Sequence, residues 1–155
     1  MLFRSNGDRI RRIGTDGLVR TFAGTGVRGF SGDGGAALQA QFAGPLGLAV
    51  APNGTLYVAD NFNNRIRAIS PAGVVSTFAG GGNDLPFRDN VAATSSRIAQ
   101  PQAVYVESTG SVLVVEYFNY VRRVDTNGVI TTFAGSTTFG YAGDRKSTRL
   151  NSSHT

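Results

Sequence analysis

The chain of 155 residues has room for one ordinary domain or a piece of a larger one, and its lack of cysteine excludes disulfide scaffolds, thiolate metal sites and cysteine nucleophiles. Hydrophobic residues at 41%, with 10% aromatic, exclude a disordered chain, and no apolar run approaches the ~18–20 residues of a transmembrane helix. Fifteen Lys and Arg against ten Asp and Glu give +5, yet residues 1–143 carry twelve Arg against nine acids, a net charge of +3 that is ordinary for a domain with no nucleic-acid partner.

The elements recur in chain order. Residues 1–24 read as a partial unit. With 56 subtracted, Met1-Leu2-Phe3 falls opposite Tyr57-Val58-Ala59, so the chain is expected to open inside the second strand of that unit. Arg9-Ile10-Arg11-Arg12-Ile13 supplies the third strand, and Leu18 to Ala23 the fourth, after a Thr15-Asp16-Gly17 turn. Residues 25–44 form a glycine-rich connecting loop in which 36–43 has room for a short helical turn.

Residues 45–80 hold a complete unit with four strands, here termed a to d, expected at 46–51, 55–60, 65–70 and 74–79. Pro52-Asn53-Gly54 turns a into b and Pro71-Ala72-Gly73 turns c into d, because glycine and asparagine supply the positive φ of tight hairpins. Asn53-Gly54-Thr55 also matches a glycosylation sequon, which the hairpin alone explains. Residues 81–100 form a second long loop, with a helical turn expected within 92–99.

Residues 101–135 repeat the unit. Pro101 to Val106 matches Pro45 to Val50, Val112 to Glu116 matches Leu56 to Asp60, and Tyr120-Val121-Arg122-Arg123-Val124 matches Arg65-Ile66-Arg67-Ala68-Ile69. Phe-Ala-Gly closes each unit at 22–24, 78–80 and 133–135, with spacings of 56 and 55. Residues 136–143 are the start of a next loop. Arg145-Lys146 then breaks the pattern, and 144–155 reads as a non-native tail similar to translated sequencing adapter. Short strands in a repeat of this length imply an all-β fold: a partial β-propeller of about two and a half four-stranded antiparallel blades.

Asp60-Asn61-Phe62-Asn63-Asn64-Arg65-Ile66-Arg67, flanked by strands a, b and d, resembles the NHL repeat. The segment from Gly24-Thr25-Gly26 to Ser31-Gly32-Asp33-Gly34-Gly35 resembles the linker between blades in bacterial and teneurin-like members. The resemblance implies a fragment of a six-bladed propeller packed on neighbouring blades of a longer chain, in a secreted bacterial protein or another extracellular or cell-surface setting. It implies recognition or scaffolding rather than one particular chemistry.

In an antiparallel meander the a–b and c–d turns share one end, while the b–c and d–a connections share the other. The long loops 25–44 and 81–100 are therefore expected on one face with the b–c loops, Asp60 to Asn64 and Glu116 to Asn119. Loops on a rigid scaffold carry binding groups, which makes Asp33, Asp60, Asn61, Asn64, Arg65, Asp89, Glu116 and Asn119 the ligand-face candidates. No cofactor is expected. Asp33 and Asp89, repeated beside glycine-rich backbone, could hold Ca²⁺, against the simpler reading that each orders its own turn.

Arg11, Arg67 and Arg122 recur at one strand-c position and could form a stripe for phosphates. The preferred reading is that each guanidinium bonds blade carbonyls or Asp60-type acids between sheets. Gly24-x-Gly26-x-x-Gly29 formally matches a dinucleotide fingerprint, but a β meander lacks the βαβ unit that such a loop requires.

The leading functional reading is a non-enzymatic recognition or scaffold module that binds protein, peptide or carbohydrate through the long-loop face. A metal-dependent hydrolase or lyase of lactonase type is the rival, with Asp60, Asn61, Asn64 and Glu116 its only plausible contributors. RNA binding through the arginines is the third.

Overall fold

The β-rich runs and their glycine turns produce twelve strands in three antiparallel sheets among residues 2–82 and 88–135, the part of the chain described by a computed structural model. The readings of 136–143 and 144–155 lie outside the described residues. The first sheet is β1 (Leu2–Asn6), β2 (Arg9–Ile13) and β3 (Val19–Ala23) in that order. The second is β4 (Pro45–Val50), β5 (Leu56–Asp60), β6 (Arg65–Ile69) and β7 (Val75–Gly80), a meander of strands a to d.

The third sheet repeats it with β9 (Pro101–Val106), β10 (Val112–Glu116), β11 (Val121–Val124) and β12 (Val129–Ala134). It gains a fifth member, β8 (Val91–Ala92), along the free edge of β12. The extra strand comes from the long loop. Each d–a loop runs along the outer edge of the blade it is about to enter, as Gly34, Gly35 and Ala37 do against Gly73 and Val75 in the second sheet. This covers an edge that would otherwise offer unpaired backbone groups. Short 3₁₀ turns then follow at Ala37–Gln39 and Ala93–Ser95, inside the two segments expected to be helical.

The register at the chain start differs from the expectation. Leu2 pairs with Ile13 as Leu56 pairs with Ile69, so Leu2 and Phe3 correspond to Leu56 and Tyr57, not to Val58 and Ala59. The first b–c hairpin is two residues shorter than the second. Gly7 and Asp8, at φ 57° and 56°, close β1 onto β2 directly, where the second blade inserts the 3₁₀ turn Asn61–Asn63.

The core lies between sheets rather than within one. Leu56, Val58, Ile69 and Val75 face the first blade and bury against Ile10, Ala23 and Phe42. Ala59, Ile66 and Ala79 face the third blade and bury against Val104, Val112, Val114, Val124 and Ile130. Alternate residues of β5 therefore serve opposite interfaces, which is why the central blade is apolar on both faces. The a strands β4 and β9 lie against one another across the blade boundary.

The repeated Phe-Ala-Gly now has a physical cause. Its glycines, Gly24, Gly80 and Gly135, all adopt positive φ (92°, 87° and 100°), a region that side chains disfavour. A Cβ at Gly80 would also collide with the carbonyl oxygen of Asn64.

Candidate functional site

The b–c and d–a loops do share one end of the blades. Asn63 Nδ2 donates to Gly29 O at 2.8 Å, Phe62 N donates to Ala43 O at 3.0 Å, and Gln100 N donates to Asn64 Oδ1 at 2.8 Å. The αL conformation of Asn64 (φ 53°) ends the 3₁₀ turn and aims its amide at the next loop, a posture that asparagine tolerates well. Asp8 and Asn119 recur in the same posture, and Asp8 Oδ1 accepts Gly44 N at 2.6 Å, as Asn64 accepts Gln100 N.

Several predicted ligand residues turn inward. Asp60 is fully buried, with Oδ1 accepting Ala43 N at 2.8 Å and Oδ2 accepting Asn63 Nδ2 at 2.8 Å. Buried Asn61 donates from Nδ2 to Pro101 O at 3.0 Å and so pins the second blade to β9 of the third. Glu116, also buried, accepts Ala99 N through Oε2 at 2.8 Å. Burial raises both carboxyls; backbone donors and arginine charge only partly oppose it, and Glu116 is pushed up to about 7.

The proposed phosphate stripe is an internal structure. Arg67 and Arg122 have no exposed side-chain surface, so they cannot meet a polyanion, and Arg11 spends Nη1 on Thr21 Oγ1 at 2.8 Å. Arg67 donates Nε and Nη2 to Asp33 Oδ1 (3.1 and 2.7 Å), Nη2 to Ser31 O at 3.0 Å, and Nη1 to Gln41 O and Asp60 Oδ2 (3.3 and 3.4 Å). Arg122 Nη2 donates to Arg88 O and Asp89 Oδ1, both at 2.8 Å.

Asp33 and Asp89 thus clasp the loop to the blade, assisted by Thr77 Oγ1 on Asp33 (2.6 Å) and Thr132 Oγ1 on Asp89 (3.1 Å). Asp33 is paired with Arg67 and Asp89 with Arg122, an arrangement that favours the simpler reading in which each aspartate orders its own loop. No group of three or more His, Cys, Asp or Glu side chains is placed to hold a metal among the described residues.

Among the described residues, the long-loop face exposes aromatic rings stacked with arginines. The Arg28 guanidinium lies 4.3 Å from the centre of the Phe62 ring, and that of Arg65 lies 4.1 Å from the Phe30 ring; the two rings are 57% and 43% exposed. Tyr117 and Phe118 add a second exposed aromatic pair on the b–c loop of the third blade, with ring centres 5.3 Å apart. A cleft of about 380 Å³ opens between the second and third blades, lined by Asn63, Asn64, Arg65, Gly81, Gly82 and Arg97.

Of the predicted ligand residues, only Asn64 and Arg65 line this cleft. Phe30, Phe62, Arg28 and Arg97 were missed. Exposed aromatics on a glycine-rich loop were the available signal for the rings, whereas nothing local marks Arg97.

Among comparisons with known proteins, a profile of the teneurin NHL domain matches residues 6–70. Mouse Teneurin-1 is 44% identical over 73 residues, which covers 41% of this chain and 3% of that protein; human Teneurin-1 shows the same identity and coverage. The chain therefore spans only a small part of the curated relatives that it matches. A protein of unknown function from Bacteroides thetaiotaomicron superimposes with TM-score 0.62 at 19% identity, covering 84% of this chain and 31% of the other. Virginiamycin B lyase from Staphylococcus aureus superimposes with TM-score 0.52 at 20% identity, covering 84% and 36%. At these identities the structural likeness concerns the fold alone.

Proposed function

Because this chain belongs to the NHL-repeat family, we propose that it is a non-enzymatic recognition module whose long-loop face binds a protein or peptide and whose blades are the rigid scaffold. The observation that supports this reading most strongly is the difference between the two ends of the blades. One end is closed by tight turns such as Pro52-Asn53-Gly54 and Pro71-Ala72-Gly73. The other presents Phe30 and Phe62, each exposed and each held in place by an arginine on its face. Aromatic rings and arginines of this kind are enriched where proteins carry most of their binding energy.

A hydrolase or lyase site would draw on Asp60, Asn61, Asn64 and Glu116. Asp60, Asn61 and Glu116 are buried and hold loops in place, which favours recognition over catalysis. The same exposed rings could stack on a sugar, so the test includes both ligand classes.

The test is selection of ligands for the 155-residue chain from a displayed peptide library and from a glycan array, followed by hydrogen exchange of each complex. The reading expects peptide ligands that protect the loops around Phe30 and Phe62 and lose at least about tenfold in affinity on Phe62→Ala. Protection confined to the short-turn end, or glycan ligands alone, would overturn it.

A further inference from the structure

The two blade junctions share one plan, and the places where they differ point to a ligand. At the second junction Tyr57 meets Phe78 edge to face, with ring centres 4.6 Å apart, and Ala68 stands opposite Tyr57 on the neighbouring strand. At the first, Phe3 meets Phe22 in the same way at 4.9 Å, but the residue opposite Phe3 is Arg12. Its guanidinium lies 5.7 Å from the centre of the Phe22 ring. The second junction packs with alanine at this place, so the cation is not needed to join two blades.

The loops beside these rings differ as well. Ala37 N donates to Gly73 O and Ala93 N to Gly128 O, both at 2.8 Å, which sets the two loops in register. Leu38 then corresponds to Thr94, and Ala72 to Asn127. Two polar positions of the second junction are thus apolar in the first. A cleft of about 350 Å³ opens here, with Phe22, Ala37, Leu38 and Ala72 as apolar walls and Arg12 and Thr21 beside them. Leu38 is 53% exposed, so apolar surface is left for a ligand to cover.

Arg12 supplies the charge of this cleft. It makes no hydrogen bond or ion pair among the described residues. Asp16 feels its charge, yet that carboxylate is turned to Arg20, whose Nη1 and Nη2 it accepts at 3.2 and 2.7 Å. A guanidinium lying against a ring keeps its N–H edge for another acceptor.

We propose that this cleft binds an apolar carboxylate, the chemistry shared by a peptide chain ending in an apolar residue and by a free branched-chain acid. The forked N–H groups of Arg12 donate to the carboxylate, while Phe22, Leu38 and Ala72 cover the apolar part. The volume is at the small end for ligand pockets, so the cleft takes one residue-sized group rather than a long segment. Inorganic phosphate fits less well, because it would leave the apolar walls in water. The cleft lies beside the Pro71-Ala72-Gly73 turn, at the end of the blades opposite the recognition face, and does not depend on that face.

The test is amide NMR of the 155-residue chain titrated with four probes. These are acetyl-Gly-Ser-Gly-Leu with a free C-terminus, the same peptide as its C-terminal amide, isovalerate and inorganic phosphate. The free-ended peptide or isovalerate is expected to move the Ala37, Leu38 and Gly73 signals in a salt-sensitive manner. The amide should bind at least about tenfold more weakly than the free-ended peptide. Tighter binding of the free-ended peptide assigns the site to chain ends, and tighter binding of isovalerate assigns it to free acids. Arg12→Ala copies Ala68 and Leu38→Thr copies Thr94, so each introduces a side chain that the other junction already accommodates. Arg12→Ala should weaken binding about tenfold and Leu38→Thr about threefold.

Equal binding of the amide, indifference to Arg12→Ala, or phosphate binding as tight as either carboxylate would overturn the site. So would the absence of shifts at Ala37, Leu38 and Gly73 with both carboxylates. Shifts confined to the loops around Phe30 and Phe62 overturn this site and leave the recognition reading of the other face intact.

Discussion

The second and third blades bury the same arginine against the same kind of acid, with different success. In the second blade Asp60 reaches Arg67 Nη1 at 3.4 Å, and the Asn63 amide satisfies the same oxygen. In the third, Glu116 Oε1 stands 3.8 Å from Arg122 Nη1 and accepts no hydrogen bond among the described residues. The b–c loop there is one residue shorter, since Asp60 and Glu116 lie 56 apart while Arg67 and Arg122 lie 55 apart. A buried ion pair is thus sustained by the neutral donors around it as much as by its own charges.

The comparison breaks first at the arginines. Arg67→Met should cost about 3–5 kcal/mol, because it strands Asp60 and Asp33 without their shared cation. Arg122→Met should cost less near pH 7, where Glu116 is already partly protonated. Urea midpoints compare the totals and hydrogen exchange assigns them to blades; equal losses would show that the two networks are equivalent.

The pH dependence sharpens the same contrast. The Glu116 carboxyl rises from 4.5 to about 7 on folding, so the folded state holds its proton more tightly than the unfolded chain does. Its contribution, on the order of 3 kcal/mol, is fully present below pH ~4.5 and is lost as pH rises through ~7. Stability should therefore fall between about pH 4.5 and 7 and level off above that, and Glu116→Gln should flatten that slope. The raised Asp60 carboxyl has the same sign, with its window opening above 3.8. A wild-type slope of opposite sign would refute the assignment.

Gly80→Ala comes next, at about 1–3 kcal/mol for the positive φ before any clash with Asn64 O is counted. Gly73→Asn, at a turn with open space around it, should change the thermal midpoint little. The smallest effect is expected from the threonine clasps. Thr77→Val and Thr132→Val should each cost about 1 kcal/mol, with hydrogen exchange loosening only the loop that Asp33 or Asp89 holds.

Much of this architecture was legible from the residues in order. Glycine and asparagine turns and the Phe-Ala-Gly repeat mark the strands of the second blade to within a residue. The same repeat misled at its start, because a fixed offset of 56 cannot show that Gly7 and Asp8 turn in two residues where Asn61–Asn63 insert a 3₁₀ turn. The candidate site was less legible. Asp60 and Glu116 look like ligand groups because carboxylates on loops usually face water, and only the neighbouring loop, through Ala43 and Ala99, turns them inward.

Local chemistry along the chain was enough to decide that it forms strands, where they turn, and that the units are copies, since side-chain alternation and positive-φ turns act over a few residues. Packing decided which charges are buried and which stand at the surface. Arg67 meets Asp33 across 34 residues and Asn61 meets Pro101 across 40, so whether an arginine becomes a buried clasp or the wall of a cleft depends on loops that come together only when the blades stack.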